Sequence, residues 1–532
     1  MTGVSSFRRT LSRAVVGASA GMVAGFAALA VAELVAGLVR PAAGPVTVVG
    51  GALIDRTPAA VKDFAIRTFG ENDKAVLRLG ILAVLGLAAI GLGVLGLRHR
   101  RIGAAGVLVF GVVGATAALG RPDAGGAGDA LPSLAGGLAG CVALFVLASK
   151  AAVATAPAGG EGDGGGETGV WGRRGFLLAV GVTAVTATSA GALGRFLAGR
   201  QGRGAVASRE GLVLPEPASP APAVPAGARS RVPGVSSFFT PNHAFYRVDT
   251  ALTVPRVDAA TWRLRIHGKG VTRPRTYTLD ELLARPLVAR DITLTCVSNE
   301  VGGPYVGTAR WLGVPLAGLL REAGVRPPSQ GGGADQLVAR SVDGMTLGSP
   351  VEDVMDGRDA MLAVGMNGEP LPFDHGFPVR MLVPGLYGYV SACKWIESIE
   401  LTTFDAYDPY WVRRQWARRA PVKTQARIDT PRPFARPRAG TVTVAGVAWA
   451  QRRGITRVEL RIDDGPWRDA DLAAQDTVDT WRQWSYRWDA TSGSHTLTVR
   501  ATDGTGQVQT EQRTRTIPDG ASGRHSVFVT VP

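Results

Sequence analysis

Leu294-Thr295-Cys296-Val297-Ser298-Asn299-Glu300 lies near the middle of a chain of 532 residues. The run that feeds it, Asp291-Ile292-Thr293-Leu294-Thr295, alternates polar and apolar side chains with the period of a strand. Loop-forming residues and Gly302-Gly303 follow at once. A strand that delivers a thiol into a loop mouth can present a soft sulfur to a metal. The plainer reading of the same cysteine is a small buried hydrophobe. Its surroundings decide between the two.

Hydrophobic residues make up 46% of the chain, and the excess lies almost entirely before residue 200. That asymmetry predicts a membrane domain followed by a soluble one. Apolar segments run over Ala14–Val39, Ala75–Leu97, Ile102–Leu119, Leu131–Ala148 and Phe176–Leu197, each close to the ~20 residues a helix needs to cross a bilayer. Arg8, Arg9 and Arg13 precede the first segment, and Arg98-His99-Arg100-Arg101 separates the second from the third. Lys150 and Arg173-Arg174 lie between the fourth and fifth. Placing all three basic clusters inside gives a cytoplasmic N-terminus and an extracytoplasmic C-terminal part. Gly172-Arg173-Arg174-Gly175-Phe176-Leu177-Leu178 matches a twin-arginine export signal as well as an ordinary positive flank, and a glycine-rich loop (159–169) precedes it. Of the six histidines only His99 precedes residue 200, so the helices lack the facing pair that holds a membrane haem. Glu33 and Arg78 read as a buried polar pair or as snorkelling side chains.

The domain reading is therefore 1–198 membrane helices, 199–234 a Pro/Ala-rich tether, 235–412 an α+β domain, and 413–532 an all-β domain. In the α+β domain, 261–268 and 362–368 read as strands, the latter ending in an Asn-Gly hairpin signal, while 279–283 and 315–323 read as short helices. Alternating runs at 441–449, 457–462, 485–488 and 496–502, separated by turns such as Asp464-Gly465, argue for an immunoglobulin-like sandwich. Nothing in that last domain reads as catalytic, so packing or oligomerisation is its expected role. The net charge of +15 is scattered and belongs to no nucleic-acid motif. Three cysteines, one of them inside an apolar segment, are too few for a disulfide framework. An unpaired thiol in an exported domain favours one that carries a ligand.

The segments around Cys296 together resemble the sulfite oxidase family of molybdopterin enzymes, in its membrane-anchored bacterial branch. The resemblance covers about residues 235–530 and includes 240–246, the cysteine strand, Asn367-Gly368-Glu369-Pro370-Leu371 and His375-Gly376-Phe377-Pro378-Val379-Arg380. It continues through Pro384-Gly385-Leu386-Tyr387-Gly388, Ser391 to Trp395, and the C-terminal sandwich, which resembles the family's dimerisation domain. It implies a molybdenum-molybdopterin cofactor with Cys296 as the metal's thiolate ligand. It also implies that Arg380, Lys394 and His375 receive the pterin and its phosphate, and that Asn242, Phe245, Tyr246 and Ser391 hold the pterin; Tyr387 would face substrate. An Arg fork and a Lys point charge suit a phosphate. There are departures: Glu300, Val301 and Gly302 follow Asn299, where the sulfite oxidases proper place arginines, and Cys393 stands just before Lys394. The carboxylate of Glu300 should disfavour a dianion such as sulfite.

These readings converge on a membrane-tethered, exterior-facing molybdenum oxidoreductase acting on a small substrate, by sulfite-oxidase-like or S-/N-oxide reductase-like chemistry. Its electrons are expected to pass to or from a soluble carrier or membrane subunit, and a homodimer is compatible with the sandwich. The rival is a cofactor-free surface interaction protein that keeps the fold.

Overall fold

The computed structural model describes every residue except Met1, 59–60, 62–63, 66–67, 70–71, 122–123 and 155–164. Residues 159–164 of the expected glycine-rich loop thus lie outside the described residues. The chain divides into two compact units: residues 1–204 with 250–254, and 205–249 with 255–532.

In the first unit the apolar runs form α1 (Thr2–Val39), α3 (Asp73–Arg98), α4 (Arg100–Leu119), α5 (Leu131–Ala154) and α6 (Gly165–Glu210). Among the described residues these five helices are long and apolar enough to cross a membrane. The twin-arginine-like stretch falls within α6. The sequence reading passed over α2 (Pro45–Arg56), opened by a proline at its first turn, where a missing N–H costs nothing. Helix backbones meet at small residues: a methyl group on Gly21 would lie 1.9 Å from the Ala89 carbonyl oxygen, and one on Gly111 3.0 Å from the Gly137 Cα. Such seams replace the hydrophobic drive that is missing between helices in lipid. Glu33 and Arg78 do not pair. Arg78 instead donates to Thr253 Oγ1 at 2.7 Å and to the Leu252 carbonyl, and Glu33 lies within electrostatic reach of Arg195. The buried acid of this unit is Asp129, held by Arg40 at 3.2 Å from Nε and by the Gly125 N–H at 2.7 Å.

Residues 199–210 continue α6 and do not begin a tether, because the helix-ending prolines start only at Pro215. In the second unit Arg209 donates to the carbonyls of Leu371 (2.8 Å) and Pro370 (2.7 Å), and the Ala289 N–H donates to Ser219 O at 2.9 Å. The proline-rich stretch therefore folds against the α+β part of the second unit.

That part holds two five-stranded sheets. One has the order β2 (Arg275–Thr278), β1 (Arg263–Gly268), β10 (Ile396–Thr402), β5 (Gln336–Ser341), β6 (Thr346–Pro350). The other has β3 (Val288–Thr295), β4 (Val306–Pro315), β7 (Met361–Met366), β8 (Glu369–Pro370), with β9 (Arg380–Leu382) also on β7. The β7–β8 turn is the expected one: Asn367 and Gly368 take φ of 52° and 87°, the primed geometry that matches strand twist. Short helices α7 (Leu279–Leu283) and α8 (Leu316–Glu322) stand where the sequence placed them, and Thr278 and Glu281 close a capping box at the first. The α+β reading holds.

The C-terminal sandwich packs β11 (Gln425–Thr430), β12 (Gly440–Trp449), β16 (Arg482–Ala490) and β15 (Asp471–Leu472) in one sheet. Its second sheet is β14 (Arg468–Asp469), β13 (Ile455–Ile462), β17 (Gly493–Asp503) and β18 (His525–Val531). Trp484, Leu497, Val499, Val527 and Val529 fill its core. Val447, Trp449 and Trp481 instead join the core of the α+β part, with Trp311, Leu362 and Met381. One apolar cluster thus spans both, which explains why they form one unit.

Gly313 sits at the irregularity between β4 and β7, where a methyl group would come 2.3 Å from the Leu362 carbonyl oxygen. Gly313→Ala should cost about 1–3 kcal/mol by overpacking. Gly318→Ala, on α8 with nothing within 4 Å of the added carbon, should be neutral or stabilising. Thermal unfolding of the two variants beside the parent checks the contrast.

Candidate active site

Strand β3 ends at Thr295, and the chain turns at Cys296. The Cys296 N–H donates to Tyr305 O (2.9 Å), the Asn299 N–H to Cys296 O (3.1 Å), and the Tyr305 N–H to Asn299 Oδ1 (2.8 Å). Asn299 is therefore the clasp of the loop that carries the thiol. Cys296 is buried at 8% exposure, and the Ser298 N–H points at its sulfur from 3.4 Å. Burial pushes the thiol's pKa up, while the Ser298 N–H and Lys394 oppose the shift. A metal that took this sulfur as thiolate would supply the missing positive charge.

The other side chains expected here converge on it. Tyr246 lies within electrostatic reach of both Cys296 and Arg380, and its hydroxyl is held protonated, first by burial. Phe245 stacks on Tyr246 with ring centroids 5.1 Å apart and meets Trp311 and His375 edge to face at 5.9 and 5.6 Å. Arg380, 6% exposed, lies over the Trp311 ring at 5.4 Å, and burial draws its pKa down to about 10. It stays a cation at neutral pH. It has no carboxylate partner among the described residues, and its buried Nε makes no hydrogen bond. His375 donates from Nε2 to the Asn242 carbonyl at 2.9 Å, and burial followed by Arg380 pulls its pKa down to about 4. The ring is therefore neutral and offers Nδ1 as an acceptor, so it suits a pterin N–H better than a phosphate oxygen.

Three expected residues are engaged differently. Lys394 donates to Asp249 Oδ2 at 2.7 Å and to the Asp374 carbonyl at 3.1 Å, with the face of Trp395 4.7 Å away; Asp249 and Asp374 also take Arg247, each at 3.0 Å. Its charge is already shared with Asp249, a partner that sequence spacing gave no means of finding. The Asn242 side chain is spent on the β7–β8 hairpin: it donates to Met366 O (3.2 Å) and to Glu369, and accepts from Asn367 (2.8 Å). Its backbone carbonyl, through His375, is what faces the site. Ser391 is fully buried and donates to the carbonyls of Leu386 (3.0 Å) and Tyr387 (3.1 Å), steadying that turn. Tyr387 lies within reach of Cys296, but its hydroxyl meets the Lys423 N–H at 3.4 Å and abuts Gly520. Cys393 is buried beside Arg380, with its thiol held protonated by burial.

The sandwich domain, expected to serve packing or oligomerisation, packs against the same place. The Thr293 N–H donates to Asp479 O (2.9 Å), the Trp481 N–H to Thr293 Oγ1 (2.7 Å), and Gln451 Nε2 to Thr293 O (3.0 Å) and Thr295 Oγ1 (3.1 Å). Arg427 donates to Gly303 O at 2.8 Å. His525 presses on the same loop, since a methyl group on Gly302 would fall 2.2 Å from its ring. The Gly302-Gly303 pair was the one sequence signal of this close approach.

Among the described residues no group of three or more His, Cys, Asp or Glu could hold a metal ion unaided. A metal at Cys296 therefore needs ligands that a cofactor brings. A buried soft sulfur, a buried guanidinium with an orphaned N–H, a neutral acceptor ring and stacked aromatics fit a sulfur-rich organic cofactor with an anionic tail.

A family model described as an oxidoreductase molybdopterin binding domain matches residues 251–411, and one for a bacterial Ig domain matches residues 425–499. Mouse mitochondrial sulfite oxidase is 29% identical over 293 residues, covering 47% of this chain and 53% of that protein. A rice NADH nitrate reductase is 35% identical over 196 residues, 32% of this chain and 21% of that one. The sulfane dehydrogenase SoxCD from Paracoccus pantotrophus aligns with a TM-score of 0.48 at 25% identity, over 56% of this chain and 82% of that one. The chain spans about half the length of the sulfite oxidases it matches.

Two outcomes follow for the folded protein. Gln451→Leu keeps the shape but strips Thr293 O and Thr295 Oγ1 of a donor, so it should cost about 2 kcal/mol in denaturant unfolding. His375 and His525 are both held neutral at about 4, by burial first and a neighbouring arginine second, whereas a free histidine titrates near 6.5. The unfolded chain then binds more protons between those values, so stability falls as pH drops from about 6.5 to 4 and neither ring matters above that window. For His375 the gap amounts to about 3 kcal/mol. Unfolding measured at pH 7 and pH 5 should show the loss, and His375→Gln should remove about half of it, leaving the share of His525.

Proposed function

Because the chain carries a molybdopterin-binding oxidoreductase domain of the sulfite oxidase family, we propose that it is a membrane-tethered, exterior-facing molybdenum enzyme. Its reaction is a two-electron change, of the oxygen-atom-transfer type, on a small substrate. The observation that carries this reading is that buried Cys296, Tyr246, Arg380, His375 and Lys394 lie within electrostatic reach of one another in a connected set. Molybdenum-molybdopterin would supply the redox chemistry, with Cys296 as the metal's protein ligand. The protein's share is positioning. Asn299 and the sandwich hold the sulfur in place, Arg380 answers the anionic tail, and His375 and Tyr246 orient the ring system. Both tyrosines stay protonated, so either can donate a hydrogen bond to a substrate oxygen without carrying charge. Glu300 is exposed near the thiol loop and lowers the affinity for a dianion, which favours an S-oxide or N-oxide over sulfite.

Basic flanks and the twin-arginine-like stretch support export of the second unit already folded, with the N-terminus inside. The electron partner is a soluble carrier or a membrane subunit, and the sandwich leaves room for a homodimer.

The test is the metal and pterin content of the full chain purified in detergent, beside Cys296→Ser. Equal molybdenum and pterin in the parent, with loss of the sulfur-to-metal signature in the variant, is the expected result. A folded parent carrying neither, from a host that makes the cofactor, would reduce the protein to an interaction module.

A further inference from the structure

Helices α1, α3, α4 and α5 enclose space that the cofactor chemistry does not use. Helix α4 lies tight on α3 where the two are joined: a methyl group on Gly103 would meet Gly96 Cα at 2.8 Å, and one on Gly106 would meet Leu92 at 2.4 Å. Toward its other end α4 lies tight on α5, through Gly111 on Gly137 and Gly114 on Ser133. Helix α3 does not follow it there, and Gly80 and Gly86 meet nothing within 4 Å. The hairpin therefore splays and leaves a cavity of about 770 Å³, covered by Pro45, Val49 and Leu53 of α2. That volume is within the ~300–1,000 Å³ of small-molecule sites.

The lining is hydrocarbon with one exception. No charged side chain lines the cavity, and Ser133, in the first turn of α5, contributes its single hydroxyl. Ser133 is 3% exposed, and its Oγ makes no hydrogen bond in the structure. A buried hydroxyl without a partner has lost its bonds to water, and a bound acceptor would restore one. A phospholipid would bring a phosphate, and no cation awaits it. A neutral head bearing a carbonyl on a long hydrocarbon chain satisfies every wall.

We propose that this cavity is a binding site for an isoprenoid quinone, whose head carbonyl accepts from Ser133 and whose chain leaves through the gap between α3 and α4. The site gives the membrane helices a role beyond anchoring. It is independent of the molybdenum reading, because its test reads binding and not turnover.

The experiment uses the full chain in lipid nanodiscs and decylubiquinone as probe, with equilibrium dialysis against empty nanodiscs and solvent extraction of whatever copurifies. About one quinone per chain is expected above the nanodisc background. Ser133→Ala should weaken binding about tenfold, the loss of one hydrogen bond worth about 1.4 kcal/mol. Gly80→Phe, which fills the cavity at a position with nothing within 4 Å, should abolish binding while the helical circular dichroism is unchanged. If Gly80→Phe misfolds, the Ser133→Ala affinity alone decides. No uptake by the parent, equal affinity in the variants, or a tightly held phospholipid that the quinone does not displace would each overturn the proposal.

Discussion

Everything at the site depends on the last turn of β3 being held from two sides. Within its own domain, Asn299 clasps the loop across Tyr305. From the sandwich, Asp479, Trp481 and Gln451 take up the N–H, hydroxyl and carbonyl of Thr293. Strand β3 is the edge of its own sheet, and without these partners its outer groups would be left to water and its end would fray. Paired on both sides and packed against the shared core of Trp311, Trp449 and Trp481, it can hold a sulfur at a fixed point. A metal ligand needs that, because the hydrogen bonds around a ligating side chain determine how well it is held in place before the metal arrives.

Charge is rationed around that fixed sulfur. Lys394 is shared with Asp249, His375 is kept neutral, and Tyr246 keeps its proton, while Arg380 is a buried cation without a carboxylate among the described residues. Burying such a group costs free energy unless a partner arrives. Its place on the Trp311 ring lowers that cost without neutralising it. This set of side chains suits negative charge at one point and a neutral, stacked, hydrogen-bonding body beside it.

Much of this was legible in the residues. All five long apolar runs became helices, three of them within about six residues of their expected ends, while the first starts at Thr2 and the last extends from Gly165 to Glu210, because apolar length marks the span and not the polar turns that continue it. The Asn367-Gly368 turn and the capping box at Thr278 are local chemistry, and they formed as written. The tether was misread at its start because Ala, Gly and Arg between 199 and 210 carry on a helix that only proline stops. The side chains of Asn242 and Ser391 bond within the protein, because a hydrogen-bonding side chain takes whichever partner the fold brings nearest.

What the sequence alone determined is whatever depends on neighbours in the chain: which segments are apolar enough to leave water, where the backbone turns, and that a thiol ends a strand. The tertiary structure decided the rest, because pairing across the chain has no local signature. Asp249 meets Lys394 across 145 positions and Trp481 meets Thr293 across 188, and the hydroxyl of Ser133 is buried without a hydrogen bond only through helix packing.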